Sequence, residues 1–140
     1  MKLFITLGIV GLTIIGILGF FIFEPGRKNK GTTQVTTQAH NLRYKDGIYS
    51  AVGDYISPGG AEKIGVTITL KGDIIEDAKA QSKAFRPNTI RYQGIFIENF
   101  RPLVIGKNLD EVKLDKVSAS SLTPIGFNDA LEKIKAQAKG

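Results

Sequence analysis

Hydrophobic and polar positions divide this chain into three stretches of different periodicity. From Leu3 to Phe23 there is no alternation: the run carries no charge, and Thr6 and Thr13 are its only polar side chains. With about 1.5 Å of rise per residue, a helix of this run is long enough to cross a hydrocarbon core of ~30 Å. A cleaved signal peptide would have an apolar region of about 7–15 residues ending at a small-residue site. This run is longer and meets Glu24-Pro25-Gly26-Arg27. The pattern predicts an uncleaved single-span anchor over residues 1–23. Residues 24–41 then hold one large apolar side chain, Val35, among Thr, Gln, Lys and Gly. They bury too little to offset their ordering entropy and read as a flexible tether.

Residues 42–140 carry the periodicities of a folded domain. A strand is expected around Gly47–Gly53, then a loop at Ser57-Pro58-Gly59-Gly60. From Glu62 to Lys71 the alternation is strict, with Ile64, Val66, Ile68 and Leu70 on one face and Lys63, Gly65, Thr67, Thr69 and Lys71 on the other. Gly72-Asp73 predicts a hairpin turn, and Ile74–Ala80 the returning strand. After Phe85-Arg86-Pro87-Asn88 breaks the pattern, Thr89–Phe100 reads as a helix capped by Asn88 and stopped by Pro102, with Tyr92, Phe96 and Phe100 in one row. One helical turn is expected at Asn108–Val112 and a short strand at Leu114–Val117. A second helix follows, because Phe127, Ala130, Leu131, Ile134 and Ala138 fall on one face; Pro124 suits its first turn, and Thr123 or Ser121 its N-cap. The fold class is α+β: an N-terminal transmembrane helix, then a small antiparallel sheet packed against two main helices.

Composition narrows the chemistry. There is no cysteine, which excludes disulfides, thiolate metal sites and lipidation at cysteine. The only histidine, His40, lies in the tether without a second His or a Cys beside it, so no metal cluster is available. The net charge of +6 is shared evenly between the first 41 residues and the rest. A nucleic-acid binder would concentrate more of it on one face, whereas a solvated surface plus a stalk near anionic headgroups accounts for it. No Ser/His/Asp constellation and no dinucleotide-type glycine fingerprint is present.

The stretch that carries most chemistry is Leu114–Ala138. Four hydroxyls, Ser118, Ser120, Ser121 and Thr123, precede its helix. There the free backbone N–H groups and the macrodipole favour an anion, phosphate above all. Ser and Thr before a helix are also ordinary capping or loop residues. Asp115-Lys116-Val117-Ser118-Ala119-Ser120-Ser121 resembles the Asp-x-x-Ser/Thr-Gly-Ala-Thr/Ser motif of FMN-binding domains, whose last hydroxyl is esterified to the phosphate of FMN. YKDGIYS, the hairpin pattern, VIGKNLDEVKLDKV and GFNDAL follow the family's order over Tyr44–Ala138. The resemblance implies Asp115 as the motif's acid, Ser118 as its first hydroxyl and Ser121 as the flavin carrier, with Thr123 the fallback. Ala119, Ser120 and Leu122 complete the cofactor loop. The chain has Ala119 where the family has Gly, and Ser120 where it has Ala. If position 119 needs a positive φ, its Cβ costs on the order of 1 kcal/mol.

The resemblance further implies a flavin transferase as partner, attachment outside the cytoplasmic membrane, and electron carriage between a membrane donor and an extracytoplasmic acceptor rather than stand-alone catalysis. Charge counting points the other way, since Arg27, Lys28 and Lys30 follow the hydrophobic run and only Lys2 precedes it. A non-covalent flavin binder and a membrane-tethered interaction module without cofactor are the alternatives. Tyr92, Phe96 and Phe100 either flank the isoalloxazine or form core. Phe85 and Tyr55 are further aromatic candidates. Lys83, Arg86, Arg91 and Arg101 either meet phosphate and redox partners or lie on solvated faces.

Overall fold

The alternating run becomes the central strand of a three-stranded antiparallel sheet in the order β1-β2-β3. The computed structural model describes residues 41–140. The expected anchor, the tether up to residue 40 and His40 lie outside the described residues. Among the described residues no helix is long and apolar enough to cross a membrane. The elements are β1 (Gly47–Ser57), β2 (Gly60–Lys71), β3 (Ile74–Ser82), α1 (Pro87–Asn99), α2 (Arg101–Val104), a 3-10 turn (Leu109–Glu111) and α3 (Thr123–Ala138). The domain is α+β, a small antiparallel sheet with helices, as the periodicities predict.

Ile64, Val66, Ile68 and Leu70 face inward, each at most 2% exposed. β1 runs beyond the expected Gly53, and Ser57 pairs with Gly60. The expected four-residue loop is therefore a turn of Pro58 and Gly59 inside a continuous hairpin. At the other hairpin Gly72 and Asp73 both have positive φ, 57° and 65°, the combination of a type I′ turn. The Asp73 carboxylate accepts from the backbone N–H groups of Arg43 (2.9 Å) and Tyr44 (2.8 Å). It thereby ties the start of the domain to this turn.

α3 lies across the inner face of β1 and β2, burying Phe127, Ala130, Leu131, Ile134 and Ala138. Phe127 meets Phe96 and Phe100 of the α1 region with ring centroids 5.3 and 5.4 Å apart. Two glycines permit the contact with the sheet: Gly53 of β1 faces Gly126 of α3 backbone to backbone. A row on α3 also closes the free edge of β1. Asp129 accepts from the Asp54 N–H, Lys133 donates to the Val52 carbonyl, and Gln137 donates to the Ser50 carbonyl. Side chains there take the place of a fourth strand and block edge-to-edge pairing.

Three boundaries differ from expectation. α1 begins at Pro87 with Arg86 at the N-cap, not Asn88. A proline needs no hydrogen-bond partner in a first turn. Pro102 opens the short α2 rather than only stopping a helix, for the same reason. Leu114–Val117 forms no strand. The Leu114 N–H donates to Asn128 Oδ1 (3.0 Å) and its carbonyl accepts from Asn128 Nδ2 (2.7 Å). One amide side chain of α3 thus satisfies the backbone that a strand neighbour would have paired.

Ionisable groups set the pH limits of this fold. Burial and then the hydrogen bond to Asp110 push the Tyr44 phenol up to about 12. Hydrogen bonds from Lys133 and Lys63 hold Asp54 down at about 2. The hydrogen bond from Tyr44 lowers Asp110, and that from Lys133 lowers Asp129. A carboxyl depressed in the fold stabilises it above the unfolded value and loses that contribution as pH falls through the folded one. A phenol raised in the fold stabilises it below the unfolded value of 10.0 and loses that as pH rises toward 12. Thermal melts are expected to show stability falling below about pH 4 and again above about pH 10. Tyr44→Phe should flatten the alkaline limb and, by removing the hydrogen bond that lowers Asp110, part of the acid limb; an unchanged alkaline limb in that variant would contradict the assignment.

Candidate functional site

A cleft of about 500 Å³ opens where the β1–β2 turn, the start of α1 and the loop before α3 meet. It is lined by Tyr55, Tyr92 and Leu122, by Ser57, Gly59, Arg86 and Thr89 from the hairpin turn and the start of α1, and by Ala119, Ser121 and Thr123 from the loop before α3. The chain enters the domain at the other end, where Tyr44 pairs with Lys139 beyond the last turn of α3. The 16 residues of α3 separate the two ends by roughly 24 Å at 1.5 Å per residue.

The loop before α3 is built around a tight turn. Val117 and Ser120 exchange two backbone hydrogen bonds of 2.9 Å, leaving Ser118 and Ala119 at the tip. The positive φ falls on Ser118, at 51°, and not on Ala119. The Cβ of Ala119 therefore carries no left-handed strain, which corrects the cost expected there. Ser118 carries it instead. Replacing Ser118 by Gly is expected to raise stability by about 0.5–1 kcal/mol in urea unfolding; a loss would show that the hydroxyl contributes more than the backbone costs.

The sequence-predicted site residues are only partly brought together. Ala119, Ser121, Leu122 and Thr123 line the cleft; Asp115, Ser118 and Ser120 do not. Ser121 is exposed and Thr123 is buried to 1% exposure, so the two hydroxyls are not equivalent. Ser120 is turned inward, and its buried hydroxyl has no hydrogen-bond partner. Asp115 is exposed and makes no hydrogen bond among the described residues. The N-cap of α3 is Leu122, in helical conformation and without a side-chain cap, so neither Ser121 nor Thr123 caps it. Pro124 has no N–H and the Ile125 N–H donates to the Leu122 carbonyl. The Thr123 N–H is therefore the first-turn donor left without a partner among the described residues, beside the Ser121 hydroxyl and at the end of the helix where the dipole favours an anion.

The predicted aromatic row divides. Phe96 and Phe100 stack in the core with centroids 5.1 Å apart, while Tyr92, one turn earlier, is 43% exposed and flanks the cleft.

Behind the cleft residues Ser57, Arg86 and Thr89 is a polar network that periodicity alone did not single out. Glu62 has a side chain 1% exposed. Its Oε1 accepts from Thr89 Oγ1 (2.6 Å), Arg86 Nη1 (2.8 Å) and Ser57 Oγ (3.3 Å). Burial pushes the Glu62 carboxyl up, but the hydrogen bonds from Thr89 and Arg86 and the attraction of Arg86 outweigh it and leave it lowered. One turn along α1, buried Gln93 makes four hydrogen bonds: it donates to Tyr55 Oη and the Lys63 carbonyl and accepts from Ser82 Oγ and the Lys83 N–H. It fixes α1 to the sheet and orients Tyr55 at the cleft. A signal for both existed. Extending the inward face of β2 back by two residues from Ile64 reaches Glu62, and Thr89 and Gln93 share a face of α1 with Phe96. Polar groups at core positions require built partners.

The arrangement can present an acceptor hydroxyl but does little to activate it. Residues 41–140 contain neither His nor Cys, and the buried carboxylate of Glu62, behind Arg86 and Thr89 rather than in the cleft lining, is held ionised by those two residues. Among the described residues no cluster of acids, His or Cys could hold a metal ion. Comparison of the chain with protein-family models, with curated proteins and with solved structures gives no match.

Proposed function

We propose that this protein is a membrane-anchored flavin carrier of the FMN-binding type, with FMN joined through its phosphate to Ser121. The observation that carries the reading is the exposed Ser121 hydroxyl on the wall of a 500 Å³ cleft, at the uncapped start of α3. The fit to the group is chemical on each side. A cleft of this size suits a ligand of FMN's dimensions. Tyr55 and Tyr92 offer flat contact to the ring and Leu122 apolar contact, and the free Thr123 N–H at the start of α3 suits a phosphodiester.

Attachment itself is left to a partner. The Ser121 oxygen bonds to the FMN phosphorus of an activated flavin nucleotide, the bond from phosphorus to its leaving group breaks, and the serine proton passes to a base of the transferase. No oxidation state changes, and the product keeps one negative charge. With no base of its own beside Ser121, the domain needs such an enzyme, and exposed Asp115 and Ser118 on the same loop are surfaces it can read. Once bound, the flavin supplies the electron chemistry, and the protein sets its position and solvent access. The reading includes a span over residues 1–23, an extracytoplasmic domain, and electron passage between a membrane donor and an extracytoplasmic acceptor.

The test is in-gel flavin fluorescence after denaturation of protein made together with its transferase. A fluorescent band is expected. Colour that leaves on denaturation would replace the ester by non-covalent binding, and absence of flavin would leave a tethered interaction module.

A further inference from the structure

The sequence placed Arg86 among several cations with no distinct task, yet the fold treats it unlike the others. Its Nη1 is committed to Glu62 and to the Ala61 carbonyl, at 2.8 and 3.1 Å. Its guanidinium carbon lies 4.4 Å from the centroid of the Phe85 ring, which is itself 73% exposed. Glu62 is in turn fixed by Thr89 at 2.6 Å. Held on one face by an aromatic ring and at one nitrogen by a buried carboxylate, the guanidinium has little freedom to leave the wall.

Its remaining edge is unused. None of the hydrogen bonds among the described residues involves Nε or Nη2, and the side chain is 33% exposed on the cleft wall. These two N–H groups point the same way from a planar group and match two adjacent acceptors. Beside them stand Gly59 and Gly60. A Cβ at Gly59 would come to 3.0 Å from Arg86 Cδ and one at Gly60 to 3.3 Å from Nη2, so the turn lies close against the arginine and leaves little room for side chains there. Neutralising Glu62 does not require a free bidentate edge on a cleft.

We propose that Arg86 recognises the isoalloxazine ring, its Nε–Nη2 edge donating to the ring's N1 and C2 carbonyl oxygen. The inference rests on the flavin reading above. Ser121 and the free Thr123 N–H at the start of α3 take the phosphate, and Arg86, lining the same cleft, meets the ring of the same molecule. A cation at the N1 side of the ring is also a placement by which a protein tunes flavin electronics. Arg86 is thus a ligand-binding residue, and Glu62, Thr89 and Phe85 position it.

Lumiflavin, the ring without ribityl or phosphate, tests this on the full chain purified without its transferase, by quenching of flavin fluorescence. Wild type should bind it, and Arg86→Gln about tenfold more weakly, the lower range for a charge-assisted hydrogen bond on a partly exposed group. Because Arg86→Gln leaves Glu62 buried without its partner, the double variant Glu62→Gln with Arg86→Gln is measured beside it. It should fold, by its thermal melt, and bind lumiflavin as weakly as the single variant. Arg86→Lys, which keeps the charge but loses the fork, should recover only part of the affinity. Unchanged lumiflavin affinity in the double variant overturns the proposal. So does a loss confined to FMN, which would put Arg86 on the phosphate, and so does a wild type that does not bind lumiflavin. Failure of the ester at Ser121 is read separately, in the mass of the protein from its own cells, because lumiflavin binding needs no ester.

Discussion

Gly53→Ala is expected to destroy the fold. A Cβ at Gly53 would fall on the carbonyl oxygen of Gly126 and come within 2.9 Å of the Ala130 nitrogen, both backbone atoms of α3. No rotamer change relieves such a contact, so α3 must move away from β1. That movement uncovers Phe127, Ala130, Leu131 and Ile134, and it pulls Asp129, Lys133 and Gln137 off the strand edge they close. Overpacking usually costs about 1–3 kcal/mol, and a clash between two backbones exceeds it. A loss of about 4 kcal/mol or more is expected, out of a typical total of about 5–15 kcal/mol. Gly94→Ala is the control, because a Cβ there meets nothing within 4 Å on the helical α1. It should stabilise by about 0.5–1 kcal/mol, since alanine is the better helix residue. Circular-dichroism melts compare the two, and a Gly53→Ala protein melting near wild type would refute the close crossing.

Ser121→Ala should remove covalent flavin completely and leave the fold in place. The side chain is exposed and makes no hydrogen bond among the described residues, so its loss is expected to change stability by no more than about 0.5 kcal/mol. Thr123→Ala tests the neighbouring hydroxyl in the opposite sense. At 1% exposure Thr123 is less open to an incoming nucleotide, so that variant should remain flavinylated. Ser121→Thr keeps an acceptor and should stay fluorescent. Fluorescence surviving denaturation in Ser121→Ala, but not in Thr123→Ala, would move the attachment to Thr123.

What the sequence revealed, and what it hid, follows from the range of the forces involved. The alternation of Ile64, Val66, Ile68 and Leu70 and the Gly72-Asp73 turn are local patterns, and they gave the sheet its centre and one hairpin. The apolar face of α3 was legible for the same reason. Pairing decided by distant partners was not. Leu114 is satisfied by a side chain from Asn128, which no strand pattern at 114–117 can announce. Pro87 and Pro102 were ambiguous, because proline both ends one helix and opens the next. At the site, the run of hydroxyls before α3 was legible, and Ala119, Ser121, Leu122 and Thr123 line the cleft. Which hydroxyl is open, Ser121, and which is sealed, Ser120 or Thr123, depended on the turn at Ser118 and on packing beneath it. The Glu62–Arg86–Thr89 network joins residues 24 and 27 positions apart. Its only trace in the sequence was a charge standing where the inward face of β2 called for an apolar residue.

The proposed ester lies at one serine, and intact-mass analysis of the full chain taken from its own cells measures it most directly. The expected mass is that of the polypeptide plus one FMN less one water, with the added mass mapping to the peptide that contains Ser121. A chain weighing no more than its polypeptide, from cells that contain the transferase, would contradict it.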